Sequence, residues 1–445
     1  MELPKGWAVA PLQSICDIIY TGDSINRSEK EEKYKGQITG YPYIATKDVA
    51  FDSVVDYENG VNIPFDIASQ FKIAPPDSTL ICIEGGSSGR KIGMLKQKVC
   101  FGNKLCCLHT AIIYSRFLFY YCQAPIFQML FIDKQKAERK SVTTAQLKEL
   151  SIVLPPLAEQ QRIVAKIDAL FSKLDKGVET LQSIRQQLRT YRQAVLKWAF
   201  EGKCSKKWTK IQLKDLFAVS PQNGLYMPSS SYGTGTSIIR IDNFYDGRII
   251  PDRDFKRVMI NTDIIETYCL DINDLLINRV NSMPYLGKCG LVLNLSEPTV
   301  FESNIMRIKL DEKKCYSKFI TYFLCSMMGK KELKKNAKQA VNQASINQTD
   351  VSNVELHLPD LSTQRIIVAA IESRLSVCDK LEAIVDENLA KAEALRQSIL
   401  KKAFAGQLVP QDPNDEAAER LLERIKSGQK HTAVKTKSRG SKRNG

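Results

Sequence analysis

Two short loops carry the residue types that hold phosphate and read bases. Gly85-Gly86-Ser87-Ser88-Gly89-Arg90-Lys91 follows a strand-like apolar run, Thr79-Leu80-Ile81-Cys82-Ile83. Asn278-Arg279-Val280-Asn281-Ser282, leading to Gly287-Lys288, is its counterpart in the second half of the chain. Glycine lets backbone approach a phosphate, serine and backbone N–H groups donate to it, and arginine or lysine adds charge. Arginine can instead pair with guanine, and asparagine with adenine. The candidate DNA contacts are therefore Ser87, Ser88, Arg90, Lys91, Asn278, Arg279, Asn281 and Lys288. Ordinary polar turns with solvated charges have the same composition, so composition alone leaves both readings open.

Catalytic constellations are missing. An adenine or cytosine methyltransferase needs a glycine-rich cofactor loop and an Asn/Asp-Pro-Pro-aromatic tetrad; Ser282-Met283-Pro284-Tyr285 is only a distant echo. The Gly85 loop lacks the spacing of a P-loop and its following Ser/Thr. Pro251-Asp252 with Asp254-Phe255-Lys256 looks like a metal-nuclease signature, but one residue separates its two acids. In such nucleases they stand on separate strand segments. The three histidines (His109, His357, His431) are far apart and the twelve cysteines show no C-x-x-C pair. No metal or cofactor is expected on this chain, and the scattered cysteines read as small buried apolar residues.

The bulk numbers point to a polyanionic partner. The net charge is +15 over 445 residues, with 43% apolar content. A basic protein of this size suggests nucleic acid first and an acidic membrane second. No run approaches the eighteen or so apolar residues of a membrane span, and no signal pattern opens the chain, so a cytoplasmic location is expected. The length predicts a few domains.

The elements that position the loops come from a duplication. Leu154-Pro155-Pro156-Leu157 opens a helical pattern that closes at Ala199-Phe200-Glu201-Gly202. Leu358-Pro359-Asp360-Leu361 opens another, closing at Ala403-Phe404-Ala405-Gly406. Both openings and both closings are 204 positions apart, so the helix length is held while its surface changes. In the first helix Ile163, Ile167, Leu170, Leu174, Val178, Leu181, Ile184, Leu188, Tyr191, Val195 and Trp198 advance by three or four. That spacing predicts a left-handed coiled-coil seam. The second seam, Ile367, Ile371, Leu375, Cys378, Leu381, Val385, Asn388, Ala392, Leu395 and Ile399, is weaker. Neither helix can bury its stripe alone, so the two are expected to pack on each other. Fainter matches precede each helix: Trp7 with Trp208, Lys91-Ile92-Gly93 with Lys288-Cys289-Gly290, and Tyr114-Ser115-Arg116-Phe117 with Tyr316-Ser317-Lys318-Phe319.

The expected class is α+β: a tandem duplication of a globular domain followed by a long helix. The boundaries read 1–153 for the first globular domain, 154–204 for its helix, 205–357 for the second domain and 358–408 for its helix. A short C-terminal helix over 409–428, with Leu421, Leu422 and Ile425, and a basic disordered tail over 429–445 complete the chain.

With these features together, the chain resembles the specificity subunit of type I DNA restriction–modification enzymes. The likeness is carried by Leu154-Pro155-Pro156-Leu157-Ala158-Glu159-Gln160-Gln161-Arg162-Ile163-Val164 and Ala199-Phe200-Glu201-Gly202-Lys203. A worn second copy runs Leu358-Pro359-Asp360-Leu361-Ser362-Thr363-Gln364-Arg365-Ile366-Ile367-Val368. The resemblance implies that each globular unit is a target recognition domain reading half of an asymmetric bipartite site on double-stranded DNA. It implies that the helices form an antiparallel coiled coil, acting as a ruler and as the docking surface for two methyltransferase subunits. Those partners would supply S-adenosylmethionine chemistry on adenine N6, and two restriction subunits would supply ATP- and Mg-dependent translocation and cleavage. The rival reading from the residues is a coiled-coil scaffold with two interaction modules and no sequence-specific DNA role. A self-sufficient nuclease is a third, weakened by its missing acidic constellation.

Overall fold

The structure is a computed structural model that describes residues 3–135, 140–201, 208–250, 255–341, 343–425 and 427. The basic tail expected after Gly428, the residues Pro251 to Asp254 of the nuclease-like motif and the helix-ending Gly202 lie outside the described residues. No described helix is long and apolar enough to cross a membrane.

The chain forms two compact units, 1–180 with 388–445, and 181–387. Each contains a globular domain and parts of both long helices. These helices span Leu157–Phe200 and Leu361–Phe404, 44 residues apiece, about 65 Å at 1.5 Å per residue. The second helix ends at Gly406, whose φ of +71° is the left-handed conformation that suits a helix stop.

In the first unit, strands 18–21, 105–109, 79–82 and 92–94 form an antiparallel sheet in that order. A second sheet joins strands 62–63, 41–44, 99–101 and 73–74, with Ile44 beside Phe101 in a parallel pair. In the second unit the same order recurs in strands 217–223, 305–310, 275–278 and 289–291, and Ile239 stands beside Phe301 in parallel. Thr79–Cys82 and Leu275–Asn278 are buried along their whole length, which is why they read as unbroken apolar runs rather than alternating ones. Helices 115–123 and 125–133 cover one sheet, and helices 317–325 and 327–334 cover the other. A ribbon of 8–11 with 151–154 brings the first domain to its long helix; 209–212 with 355–358 does the same in the second.

The described cysteines are free thiols, nine of them buried. Burial pushes Cys107 up to about 12 and Cys100 likewise to about 12, so these sulfurs behave as small apolar core atoms. Among the described residues no group of His, Cys, Asp and Glu gathers as a metal site.

The helices pack antiparallel. In the second unit Arg185 bonds Asp386, Arg192 bonds Asp379 at 2.5 Å and Glu382 at 2.7 Å, and Arg374 lies over Trp198 at 4.2 Å. Numbers rise along one helix as they fall along the other. In the first unit Arg396 bonds Asp175 and lies 4.6 Å from the Phe171 ring.

The seam differs from its expected course in a systematic way. Ile163, Ile167, Leu188, Ile371 and Ile399 are buried, and Leu170, Leu174 and Leu181 half-buried. Leu381 and Leu395, however, are 42% and 50% exposed, and Ile184 and Tyr191 also face outward. One position on, the facing sites hold Arg185, Arg192, Glu382 and Arg396, joined across the helices by ion pairs. An apolar stripe beside a partly ionic seam misled the periodicity, because a 3.5-residue spacing fits either stripe.

Candidate nucleic-acid interface

The first candidate loop is wound too tightly to cradle a phosphate with its backbone. The N–H groups of Ser88, Gly89, Arg90 and Lys91 all donate within the turn and its strand, to Gly85, Cys82, Ser87 and Ser87. Gly89 takes φ +74° with Phe131 against it; an added Cβ would stand 2.8 Å from that ring. Ser88 is buried, and its hydroxyl finds no partner among the described residues. Ser87 is half-exposed and Arg90 exposed, with the Arg90 guanidinium 4.9 Å above Phe51.

The second loop is a closed amide network. Asn278 is fully buried; its NH2 donates to the carbonyls of Val280 and Asn304, and its oxygen accepts from Asn281. The Asn281 oxygen in turn accepts the Ser282 N–H at 2.8 Å. Arg279 donates to the Ser303 carbonyl at 3.0 Å while its ε N–H has no acceptor among the described residues. Asn278 thus holds the loop's shape, and Arg279 ties it to the turn at Ser303.

Lys91 and Lys288 do one job in the two domains. Lys91 donates to the Thr46 carbonyl at 2.9 Å and stands 5.2 Å over Phe51. Lys288 donates to the Ile241 carbonyl at 2.7 Å and stands 4.0 Å over Tyr245. Each pins a turn with a non-glycine residue at positive φ, Ser53 at +71° and Asp246 at +47°. Burial lowers the Lys288 pKa, as expected for an ammonium held against rings rather than in water.

These turns lie at the junction of domain and helices. In the first unit Phe51, Asp52, Phe171, Leu389 and Arg396 line a groove of about 570 Å³. In the second, Tyr245, Asp246, Leu375, Arg192 and Asp379 line one of about 440 Å³. Arg192 and Arg396 are 204 positions apart, as are Asp175 and Asp379. The duplication therefore repeats one Arg–Asp clasp crosswise. Arg248 adds a second cation to Asp379 at 2.6 Å. Burial works against the charge of Arg192, but Glu382 and Asp379 outweigh it and hold its pKa above the ordinary value.

The helix-opening motif has an equally repeated job. Gln160 accepts the Tyr114 N–H at 3.0 Å and donates to the Pro155 carbonyl at 2.9 Å. Gln364 accepts the Tyr316 N–H at 2.8 Å and donates to the Pro359 carbonyl at 2.8 Å. Both glutamines are fully buried. Arg116 with Asp168 at 2.6 Å becomes Lys318 with Glu372 at 2.7 Å. Wear shows at one point. Trp7 donates to Glu159 at 3.1 Å, whereas Thr363 turns to Asp360 and the buried Trp208 N–H has no acceptor among the described residues. Gln160 and Gln364 share the helices' offset of 204, whereas Trp7 with Trp208 and Arg116 with Lys318 stand 201 and 202 positions apart; only the glutamines were marked by identity at the helical offset.

Comparison with known proteins matches this duplicated architecture. A profile of the type I restriction modification DNA specificity domain matches residues 4–186 and again 205–389. The type I restriction enzyme EcoKI specificity subunit of Escherichia coli (strain K12) is 25% identical, over 98% of this chain and 98% of its own. The StySPI specificity subunit of Salmonella potsdam is also 25% identical, with 98% of each chain covered. A chain in a solved structure, described as the structural basis underlying complex assembly and conformational transition of the type I R-M system, is 19% identical. It superposes with a TM-score of 0.65 over 92% of this chain and 100% of that one, a likeness of fold.

Proposed function

The chain belongs to the type I restriction–modification DNA specificity family, and on that footing we propose that it reads an asymmetric bipartite DNA site for a modification complex. Each globular domain reads one half-site. The paired helices set the gap between the halves, and two methyltransferase subunits dock on their outer face. Tyr191, Val377, Leu381 and Leu395 are exposed apolar residues of these helices that a monomer gains nothing by displaying. S-adenosylmethionine belongs to the methyltransferase partners, and ATP with Mg to two restriction subunits.

The observation that carries this reading is the repeated mount. The same glutamine, the same ion pair and the same crosswise clasp hold two domains whose exposed loops differ. A protein that presents two different readers through one mounting is suited to a target with two different halves at fixed separation. Its test is length. Four residues, about 6 Å, added to each long helix between its clasp residues, should widen the gap by one or two base pairs at about 3.4 Å each. Modified sites with an unaltered gap would reject the ruler.

A further inference from the structure

Among the places where the two copies part company is the loop after an equivalent pair of glycines. Gly22 and Gly224 are equivalent: each approaches the strand carrying the parallel pair so closely that a Cβ would stand 1.8 Å from the Phe101 carbonyl oxygen or 2.3 Å from that of Glu302. The next residues, Asp23 and Leu225, donate to the Phe101 and Phe301 carbonyls. From this shared root the chain reaches Ile44 after 22 residues in the first copy, but Ile239 after 15 in the second. Where a duplicated protein reads two different half-sites, the difference must reside where the copies differ.

The short second-copy loop carries two tyrosines, Tyr232 half-buried under Arg240 and Tyr226 held outward. Tyr226 is 81% exposed, while Leu225 before it is buried and Met227 after it packs on the same cluster. The ring is therefore held out between two anchors rather than on a free loop. It borders a cleft of about 390 Å³ with Arg240, Lys256, Glu302, Ser303 and Asn304. The one acid in this set is spent: Glu302 accepts from Arg240 at 3.0 Å and from the Ile241 N–H at 2.8 Å. Arg279 donates to the Ser303 carbonyl behind the cleft, its ε N–H buried and without an acceptor among the described residues. A rigidly presented aromatic face, cations and a neutral amide form the set that meets bases and flanking phosphates.

We propose that Tyr226 is the base-contacting residue of the second domain, with Lys256 and Arg240 on flanking phosphates and Asn304 at a base edge. This rests on the DNA-reading assignment above. The test uses the full chain assembled with its methyltransferase subunit, comparing wild type, Tyr226→Ala and Tyr226→Phe. Binding to duplex carrying the mapped motif, binding to unrelated duplex, thermal melting, complex assembly and the methylated motif are read for each. Tyr226→Ala should weaken motif binding about tenfold or more and relax one half of the motif. Unrelated DNA, melting and assembly should stay unchanged, and Tyr226→Phe should retain binding. An unaltered motif at unaltered affinity in Tyr226→Ala would overturn the proposal. So would a loss of assembly instead, which assigns the ring to a protein partner. A wild type that methylates no definable motif would overturn the DNA-reading assignment itself, and this inference with it.

Discussion

Among single residues, side chains that hold the protein stand apart from side chains free to meet a ligand. Gln160 and Gln364 fall in the first group, each satisfying one buried N–H and one carbonyl. Gln160→Ala or Gln364→Ala leaves both groups unpaired and should cost about 2–3 kcal/mol. Amide exchange should accelerate at Tyr114 in the one case and at Tyr316 in the other; unaltered protection would remove the glutamines from this role. Lys288 makes a sharper case, since composition suggests a phosphate contact and geometry a pin beneath Tyr245. Lys288→Met should lower the melting temperature while leaving the salt dependence of DNA binding unchanged. A slope reduced by about one counterion would return Lys288 to the phosphate. The presence of asparagine and arginine was legible in the sequence. That Asn278 is buried with its amide consumed was not, because its partner Asn304 arrives from a turn 26 residues away.

At the scale of elements, the long helices were the most legible part of the chain. Their openings at Leu157 and Leu361 follow the Leu-Pro motifs by three residues in both copies. The seam was less so, because Arg192, Glu382 and Arg396 occupy sites where apolar residues were expected. Arg192 is 17% exposed between two carboxylates. Arg192→Asp should destabilise the second unit by about 2 kcal/mol after discounting for solvent screening. Adding Asp379→Arg should recover part of the loss; equal destabilisation in the double variant would deny the clasp. The second helix also starts from a cap that the first lacks. Asp360 accepts from the Thr363 N–H and from the Ser362 and Thr363 hydroxyls, which holds its pKa down to about 2. A depressed carboxylate contributes stability above its unfolded value near 4, and that contribution is lost as pH falls through about 2. Asp360→Asn should flatten the acid-unfolding slope in that window, measured by circular dichroism. An unchanged slope would show that the cap does not couple to folding.

At the scale of the whole molecule, duplication governs both what could be read and what could not. The long helices repeat at an offset of 204 and the residues that mount the domains on them at offsets of 201 to 204, so both were visible in one sequence. The reading loops share only their rooting glycines, so no offset marks Tyr226 and its neighbours. This division predicts modularity. Exchanging residues 1–153 for the corresponding domain of another family member should change one half of the methylated motif and leave the other half and the gap intact. A change in both halves would mean that the domains do not read independently. Whether one chain fixes a two-part target is decided by expressing it with a methyltransferase partner and mapping N6-methyladenine across a genome by long-read sequencing. A single asymmetric, bipartite motif with one fixed gap is the expected result. A stable complex that methylates no common motif, or one whose motif has a variable gap, would contradict it.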